Sequence, residues 1–195
     1  MKLELSNQGI TEIQTGCIVI GVYDDGDMDA SGATLDQASR NKLSGWVKSG
    51  DIQTGLGKCQ VFHALAGIQA ERLLVVGLGD AAKLDLPRFD RACRAAGKLL
   101  RNHAVTEVHV CLHEANIKGT DSAQRLRQAA LAVFRSNYLY TTTKPLKDDS
   151  PSPLRAASFQ GGDELQLALS QASGIGAGFH KACELGDLPA NICNP

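Results

Sequence analysis

Short runs with the character of β-strands alternate along this chain with longer segments in which apolar residues recur with the period of a helix. The runs are residues 2–6, 17–23, 59–65, 72–76, 107–112 and 154–159. Runs of this length are typical of strands, and the periodic segments between them of amphipathic helices. Because helices that join parallel strands lie on the faces of the sheet, we predict an α/β protein. Its sheet should be mixed, mostly parallel and covered by helices on both faces.

Local signals predict where the helices begin. Three pairs of residues have the chemistry of a helix start: Thr34 with Gln37, Asp85 with Pro87, and Asp121 with Gln124. The first and third pairs have the spacing of a capping box, and proline is favoured in the first turn of a helix. A last helix is predicted over residues 163–184, and the polar, proline-bearing segment 141–153 is predicted to be a loop.

The run at 72–76 is apolar on both faces, which indicates a strand inside the sheet. Gly77-Leu78-Gly79 follows it and precedes a predicted helix, where a turn can bind an anion through its backbone N–H groups. The third glycine of a dinucleotide-binding loop is missing, because residue 82 is alanine. We therefore favour a tight turn with no ligand, and anion binding is the alternative.

Three glycines, Gly174, Gly176 and Gly178, resemble a glycine-rich loop, but the residues before them have helical rather than strand periodicity. Each glycine inside a helix costs roughly 1 kcal/mol relative to alanine. Three of them therefore indicate either a break in the helix or a close contact with a neighbouring element. We favour the close contact.

The histidines do not form a recognisable catalytic or metal-binding motif. His109, Cys111 and His113 alternate along a predicted strand and would project from one face of it. A structural zinc site needs four ligands, commonly with a paired spacing such as C-x-x-C, and no fourth ligand is evident. We favour core positions for these three residues over a metal site. The remaining histidines, His63, His103 and His180, are isolated in the sequence, and His180 is expected to be solvated or at an interface.

Two charged segments invite functional interpretations. The acidic segment 24–29 lacks the twelve-residue ligand order of an EF-hand, so a solvated loop is favoured over a calcium site. One predicted helix carries a row of basic residues: Arg88, Arg91, Arg94, Lys98 and Arg101. Acidic residues are interspersed with them, so a solvated helix face is favoured over a DNA-binding surface.

Composition narrows the functional classes. The 195 residues have a formal net charge of −1, which argues against a strongly electrostatic partner such as nucleic acid or an anionic membrane. No basic segment leads into an apolar run at the N-terminus, and no stretch is long and apolar enough to span a membrane. The six cysteines show no paired spacing and are expected to be reduced and mostly buried. We expect a cytoplasmic protein.

The last residues, Leu-Pro-Ala-Asn-Ile-Cys-Asn-Pro, resemble a connector between domains, and we expect this chain to be an N-terminal domain that ends at its boundary. Residues 174–195 are similar to the junction segment of the leucyl (cytosol) aminopeptidase family, in which a glycine- and alanine-rich helix ends in a proline-containing turn. Leu185-Gly186 stands where that family usually has Ala-Arg, and residues 187–189 compress its usual Asn-x-Pro. Residues 71–79, Glu-Arg-Leu-Leu-Val-Val-Gly-Leu-Gly, are similar to a strand and turn of the same family.

The resemblance implies a two-part protein. It implies that residues 1–160 form an N-terminal α/β domain similar in topology to macro domains, and that residues 161–195 lead to a C-terminal metallopeptidase domain. Family members are hexameric cytoplasmic enzymes that release N-terminal residues from peptides with two zinc or manganese ions. Their ligand motifs do not occur here, so no catalytic, cofactor-binding or metal-binding residue is assigned to this chain.

The same resemblance implies partners. These are the catalytic domain of the same protein and neighbouring copies in the hexamer, with peptide substrates for the full-length enzyme and no membrane. Two alternatives remain open at this stage. One is a free-standing macro-like module that binds an ADP-ribose-type ligand, and the other is a DNA-binding accessory surface.

Overall fold

A computed structural model describes residues 1–103, 105–143, 153–189 and 191–192 of the chain. The strands are β1 (Lys2–Ser6), β2 (Cys17–Tyr23), β3 (Cys59–His63), β4 (Arg72–Gly79), β5 (Glu107–Val110) and β6 (Ala156–Gln160). The helices are α1 (Ala30–Ala38), α2 (Lys42–Ser49), α3 (Leu86–Arg101), α4 (Ser122–Asn137) and α5 (Gln166–Asp187). Four single-turn 3-10 helices, Ile10–Glu12, Ala81–Lys83, Leu112–Glu114 and Asp163–Leu165, connect some of them.

The six strands form one mixed sheet in the order β1-β6-β5-β2-β4-β3. All neighbouring strands are parallel except β3, which is antiparallel to β4. The mostly parallel α/β sheet predicted from the sequence is therefore confirmed. Several strand ends differ from the prediction by one to three residues. In particular, the strand predicted at 107–112 ends at Val110, because the chain turns at Cys111 into the single-turn helix Leu112–Glu114.

Helices cover the two faces of the sheet unequally. The larger hydrophobic core lies on one face and includes buried residues of α3, α4 and the first half of α5. On the other face, Leu35 of α1 and Leu43 of α2 pack on β2 and β4, and Trp46 stacks on Phe62 of β3 at 4.5 Å. Helices α1 and α2 do not extend over β1 and β6. On this face Glu4 of β1 is exposed and the neighbouring Ser158 of β6 is half-buried.

The first helix begins earlier than predicted, and it is followed by a break. Asp29 caps α1, and Thr34 lies inside the helix with its hydroxyl donating to the carbonyl of Ala30. The predicted capping box at Thr34 is therefore wrong. Arg40 and Asn41 have positive φ angles of 62° and 58°, which divide the predicted helix into α1 and α2.

The caps predicted for the next two helices are confirmed. The Asp85 carboxylate accepts from the backbone N–H of Arg88 at 2.8 Å, and Asp121 and Gln124 form a reciprocal capping box. Most of the predicted loop at 141–153, and Cys193, lie outside the described residues. Of the five cysteines described, all are free, and Cys17, Cys93 and Cys111 are buried.

Helix α5 is continuous through Gly174, Gly176 and Gly178 and packs against α4. A Cβ atom added to Gly176 would lie 2.4 Å from the Phe134 ring, whereas nothing lies within 4 Å of one added to Gly174 or Gly178. The predicted close contact is therefore confirmed for Gly176 alone. The outer two glycines face open space.

Candidate functional site at the carboxyl edge of the sheet

Ligands of open α/β sheets bind beyond the carboxyl ends of the strands, at the point where the order of the strands along the sheet reverses. In this sheet that point lies between the adjacent strands β2 and β5, because the chain leaves β2 for β3 and β4 on one side and leaves β5 for β6 on the other. A crevice of about 310 Å³ lies there. The side chains of Tyr23, Asp29, Glu114 and Asn116 are part of its lining.

Asp29 is the most deeply buried acidic residue of the crevice, with 3% of its surface exposed. Its two carboxylate oxygens accept hydrogen bonds from the backbone N–H groups of Gly21, at 2.6 Å, and Gly32, at 2.7 Å. The pKa of Asp29 is raised to about 8, mainly by burial and to a smaller extent by the negative charge of Glu114, although the two hydrogen bonds act to lower it. The residue was expected in a solvated acidic loop. That expectation is wrong for Asp29, although Asp24, Asp25 and Asp27 are exposed.

Glu114 reaches the same helix end from the far side of the crevice. Its carboxylate accepts from the backbone N–H of Ser31 at 2.8 Å and from the Ser31 hydroxyl at 2.9 Å. The N–H of Ala33 donates to the Asp29 carbonyl at 2.9 Å. Two carboxyl groups of the protein therefore occupy the N-terminal end of α1, where a phosphate group would otherwise bind.

In the Gly77-Leu78-Gly79 segment, the N–H groups of both glycines already donate hydrogen bonds within the protein and are not free to bind an anion. These residues are part of β4, which extends three residues beyond the predicted strand at 72–76. The turn predicted at 77–79 is therefore wrong. The N–H of Gly77 donates to the Lys58 carbonyl at 2.7 Å, and that of Gly79 to the Thr54 carbonyl at 3.0 Å. A Cβ atom on Gly77 would lie 2.2 Å from the Gly55 carbonyl oxygen. The glycine therefore permits the close approach of a neighbouring segment.

His109 and His113 belong to a buried polar network. His109 Nδ1 lies 2.9 Å from Ser158 Oγ and its Nε2 lies 3.2 Å from Gln160 Oε1. His113 Nε2 donates to the Gln160 carbonyl at 2.7 Å. Burial lowers the pKa of each histidine to about 4, so both are neutral near pH 7.

The described residues contain no group of three or more His, Cys, Asp or Glu side chains placed to hold a metal ion. Cys111 is buried in the smaller core, beside Ile18 and Val75 rather than in the network of His109 and His113. The two divalent ions implied by the family resemblance therefore have no fitting ligand set in this part of the chain, and we assign no metal chemistry to it.

The other histidines and the basic helix are placed as follows. His63 is exposed and His103 half-buried. His180, expected to be solvated or at an interface, is half-buried, and its Nε2 donates to the Phe134 carbonyl at 2.6 Å.

On α3, Arg94 forms an ion pair with Asp90 at 2.6 Å, and Arg88 donates to the backbone at Lys83. Pairing within the protein thus reduces the charge that this helix could present to DNA.

The outer face of α5 is the feature that sequence reasoning missed. The large apolar side chains with high exposure among the described residues lie on α5 or just after it: Leu167 at 71%, Ile175 at 52%, Leu185 at 46% and Ile192 at 52%. The buried stripe of α5, which includes Leu169 and Ala172, faces the core. A helix with apolar residues on two faces has a second surface suited to a partner. The sequence did carry a signal for this face, because Leu167, Gly174, Gly178 and Leu185 lie at positions that share one side of a helix.

These features define an α/β domain in whose usual ligand crevice two acidic side chains bind the start of a helix, and whose last helix exposes apolar side chains. The comparisons with known proteins agree with that class. Residues 19–147 match the model of the cytosol aminopeptidase family, N-terminal domain. The chain belongs to this family.

Relatives match over nearly the whole chain. A probable cytosol aminopeptidase of Stenotrophomonas maltophilia is 37% identical over 179 residues, which cover 92% of this chain and 36% of that protein. One from Xanthomonas campestris pv. campestris is 33% identical over 195 residues, covering all of this chain and 39% of the relative. This chain therefore spans less than two fifths of the length of these relatives.

Solved structures confirm the fold. A tomato leucine aminopeptidase mutant superposes with a TM-score of 0.75 at 18% identity, covering all of this chain and 40% of the other. The bottromycin maturation enzyme BotP gives 0.68 at 18% identity over 93% of this chain and 34% of its own. Within the described residues, no helix has the length and apolar character needed to cross a membrane.

Proposed function

We propose that this chain is the non-catalytic N-terminal domain of a cytoplasmic, metal-dependent aminopeptidase. In this proposal residues 1–160 form the α/β domain, and residues 161–195 form the helix and junction that lead to a C-terminal catalytic domain. The full-length protein removes N-terminal residues, leucine-like ones preferred, from peptides with two zinc or manganese ions held in that catalytic domain. None of the residues of this chain acts as a catalytic, cofactor or metal ligand group.

The crevice at the carboxyl edge of the sheet, where Asp29 and Glu114 bind the start of α1, is the observation that carries the proposal. A domain that binds a small ligand keeps free N–H groups or polar side chains in its crevice. Here the carboxyl groups of Asp29 and Glu114 accept hydrogen bonds from the N–H groups of Gly32 and Ser31 at the start of α1, so these donors are not free for the phosphates of an ADP-ribose-type ligand. The geometry therefore does not favour the macro-like binding module. It supports a scaffold that holds the catalytic domain and neighbouring copies, up to a hexamer, in position.

The proposal is tested by replacing the corresponding N-terminal region of the Xanthomonas campestris relative with this chain. We expect the hybrid to hydrolyse a leucine chromogenic substrate in the presence of Mn²⁺ or Zn²⁺ and to assemble into a hexamer, as light scattering would show. The matched control is the same relative with its N-terminal region deleted, which should lose assembly, activity or both. If the deleted protein assembles and turns over substrate as well as the hybrid, the scaffold role is wrong.

A further inference from the structure

Only the first half of helix α5 is anchored in the hydrophobic core. The buried residues of this helix are Ala168, Leu169, Ala172 and Gly176, and the first three belong to the larger core. In the described stretch 177–187 no residue is buried, and none belongs to either core. We call residues 177–187 the distal arm. Because most of the stability of a helix in a protein comes from packing of its apolar face, the arm must be held by other contacts.

Two hydrogen bonds join the distal arm to the end of α4. His180 Nε2 donates to the Phe134 carbonyl at 2.6 Å. This carbonyl is among the last four of α4, which have no partner within their own helix. The Tyr138 hydroxyl, one residue beyond α4, donates to the Asp187 carboxylate at 2.7 Å. The arm is therefore attached mainly by polar groups that water can also satisfy.

The distal arm does not pack closely on the rest of the domain. A cavity of about 750 Å³ lies between them. It is lined by Ala177, His180 and Glu184 of the arm and by Phe134 and Asn137 of α4, among others. Close-packed elements of a protein leave few voids larger than a water molecule. The arm therefore contacts the domain along only part of its length.

Three glycines lie where the anchored half of α5 passes into the distal arm. Gly174, Gly176 and Gly178 alternate with other residues there, and Gly174 follows Ser173. Sharp bends in helices occur mostly at proline, at glycine and serine pairs or at bulges, and glycine has the widest choice of backbone conformation. Nothing lies within 4 Å of a Cβ atom built on Gly174 or Gly178, so packing does not require glycine at these two positions. The contact of Gly176 with the Phe134 ring marks the end of the anchored half.

We infer that residues 174–178 form a hinge, about which the distal arm swings away from α4 and returns as an intact helix. The structure shows the docked position of the arm. In the swung position water replaces the protein partners of the two hydrogen bonds. In the proposed function the arm leads towards the catalytic domain, so the hinge sets the orientation of the α/β domain relative to it. To that extent the inference rests on the proposed function.

The glycines and the contacts of the distal arm act in opposite directions. Each glycine makes the unbroken helix about fivefold less favoured than alanine would, and three together roughly a hundredfold. The hydrogen bond of His180 favours the docked arm about two- to tenfold. The exposed hydrogen bond between Tyr138 and Asp187 adds little, because water competes for it. The Arg135 guanidinium lies 5.8 Å from the centre of the Phe179 ring, where a cation–π contact is weak. Both positions of the arm should therefore be populated.

The test is nuclear magnetic resonance of the whole chain in a weakly aligning medium, which gives a residual dipolar coupling for each backbone N–H bond. Couplings of a helix that moves as one body fit one alignment, whereas those of a swinging segment are averaged to smaller values. We expect the couplings of residues 179–187 to be about 0.7 or less of those calculated from the alignment of residues 166–173, which is the ratio of order parameters between flexible and rigid backbone. The Cα chemical shifts of the arm should remain helical.

Alanine at the hinge should stop the motion. The double substitution Gly174→Ala/Gly178→Ala meets no neighbouring atom and should reduce the population of the swung position about 25-fold. The couplings of the distal arm should then rise to the values of the anchored half. Gly45→Ala is the matched control, because Gly45 is also an exposed helical glycine with nothing within 4 Å, on α2. It should leave the couplings of the arm unchanged.

Couplings that fit one alignment along the whole of α5 would show a rigid helix and overturn the inference. Chemical shifts that lose their helical character progressively towards residue 187 would show a frayed end instead of a hinge, and would also overturn it. The same holds if the double substitution leaves the distal arm unchanged or if Gly45→Ala rigidifies it equally. The measurement needs no catalytic domain, so its failure leaves the aminopeptidase proposal standing. Failure of the hybrid enzyme likewise leaves the hinge untouched.

Discussion

Three of the four glycines of α5, Gly174, Gly176 and Gly178, should respond differently to substitution by alanine although they lie close together on one helix. Substitution by alanine removes the conformational penalty of glycine in a helix, a gain of roughly 1 kcal/mol at each position. At Gly174 and Gly178 nothing lies within 4 Å of the added methyl group. Gly174→Ala and Gly178→Ala should therefore raise the free energy of unfolding by up to about 1 kcal/mol each.

At Gly176 the added methyl group meets the Phe134 ring. Three ring carbons lie between 2.4 and 2.9 Å from the built Cβ atom, whereas carbon atoms in contact are separated by about 3.5 Å or more. Helix α5 must then move away from α4 by about 1 Å, or the ring must leave its rotamer, and overpacking of this kind costs about 1–3 kcal/mol. The helix-propensity gain is common to the three variants and cancels when they are compared. Gly176→Ala should therefore be about 1–3 kcal/mol less stable than Gly174→Ala.

The assay is urea unfolding followed by far-ultraviolet circular dichroism, at a protein concentration at which the chain is monomeric. The linear extrapolation of each curve gives the free energy of unfolding, and an unchanged slope shows that the comparison is valid. Equal stabilities for Gly176→Ala and Gly174→Ala would refute the packing of α5 on α4 described above.

Two further predictions concern the crevice and the buried histidines. Glu114→Gln should lower the free energy of unfolding by about 1–2 kcal/mol, because it replaces charge-assisted hydrogen bonds to Ser31 with neutral ones, and hydrogen exchange at the start of α1 should become faster. The folded-state pKa of His109 is lowered to about 4 from 6.5, so the unfolded chain binds more protons in this interval and stability is lost as pH falls through it. His109→Gln should reduce the slope of the unfolding free energy against pH between about 4 and 6.5 by up to about 1.4 kcal/mol per pH unit relative to the unsubstituted chain. Equal slopes for His109→Gln and the unsubstituted chain would contradict this.

The features that could be predicted from the sequence are local. The caps at Asp85 and Asp121 depend on a side chain and a backbone group three residues further on, so spacing alone reveals them. The order of strands and helices follows from periodicity, and periodicity also predicted a sheet of mostly parallel strands.

The features that could not be predicted depend on contacts between distant parts of the chain. Ser31 and Glu114 are 83 positions apart, and this contact helps to place the start of α1 at Ala30 rather than at Thr34. Which of the glycines of α5 faces Phe134 likewise depends on how α5 lies on α4. The second apolar face of α5 was hidden because its central members are glycines, which do not mark a stripe as apolar in a sequence pattern.

The central claim, that this chain carries no catalytic centre of its own, is tested most directly by assaying it alone. The purified chain is incubated with a leucine chromogenic substrate and with added Mn²⁺ or Zn²⁺, beside the full-length Xanthomonas campestris relative as the positive control. We predict no release of product above the rate in buffer for the chain, and turnover by the relative. Metal-dependent turnover that co-purifies with the chain and is lost on substituting Asp29 or Glu114 would contradict the account and place a catalytic site in the crevice.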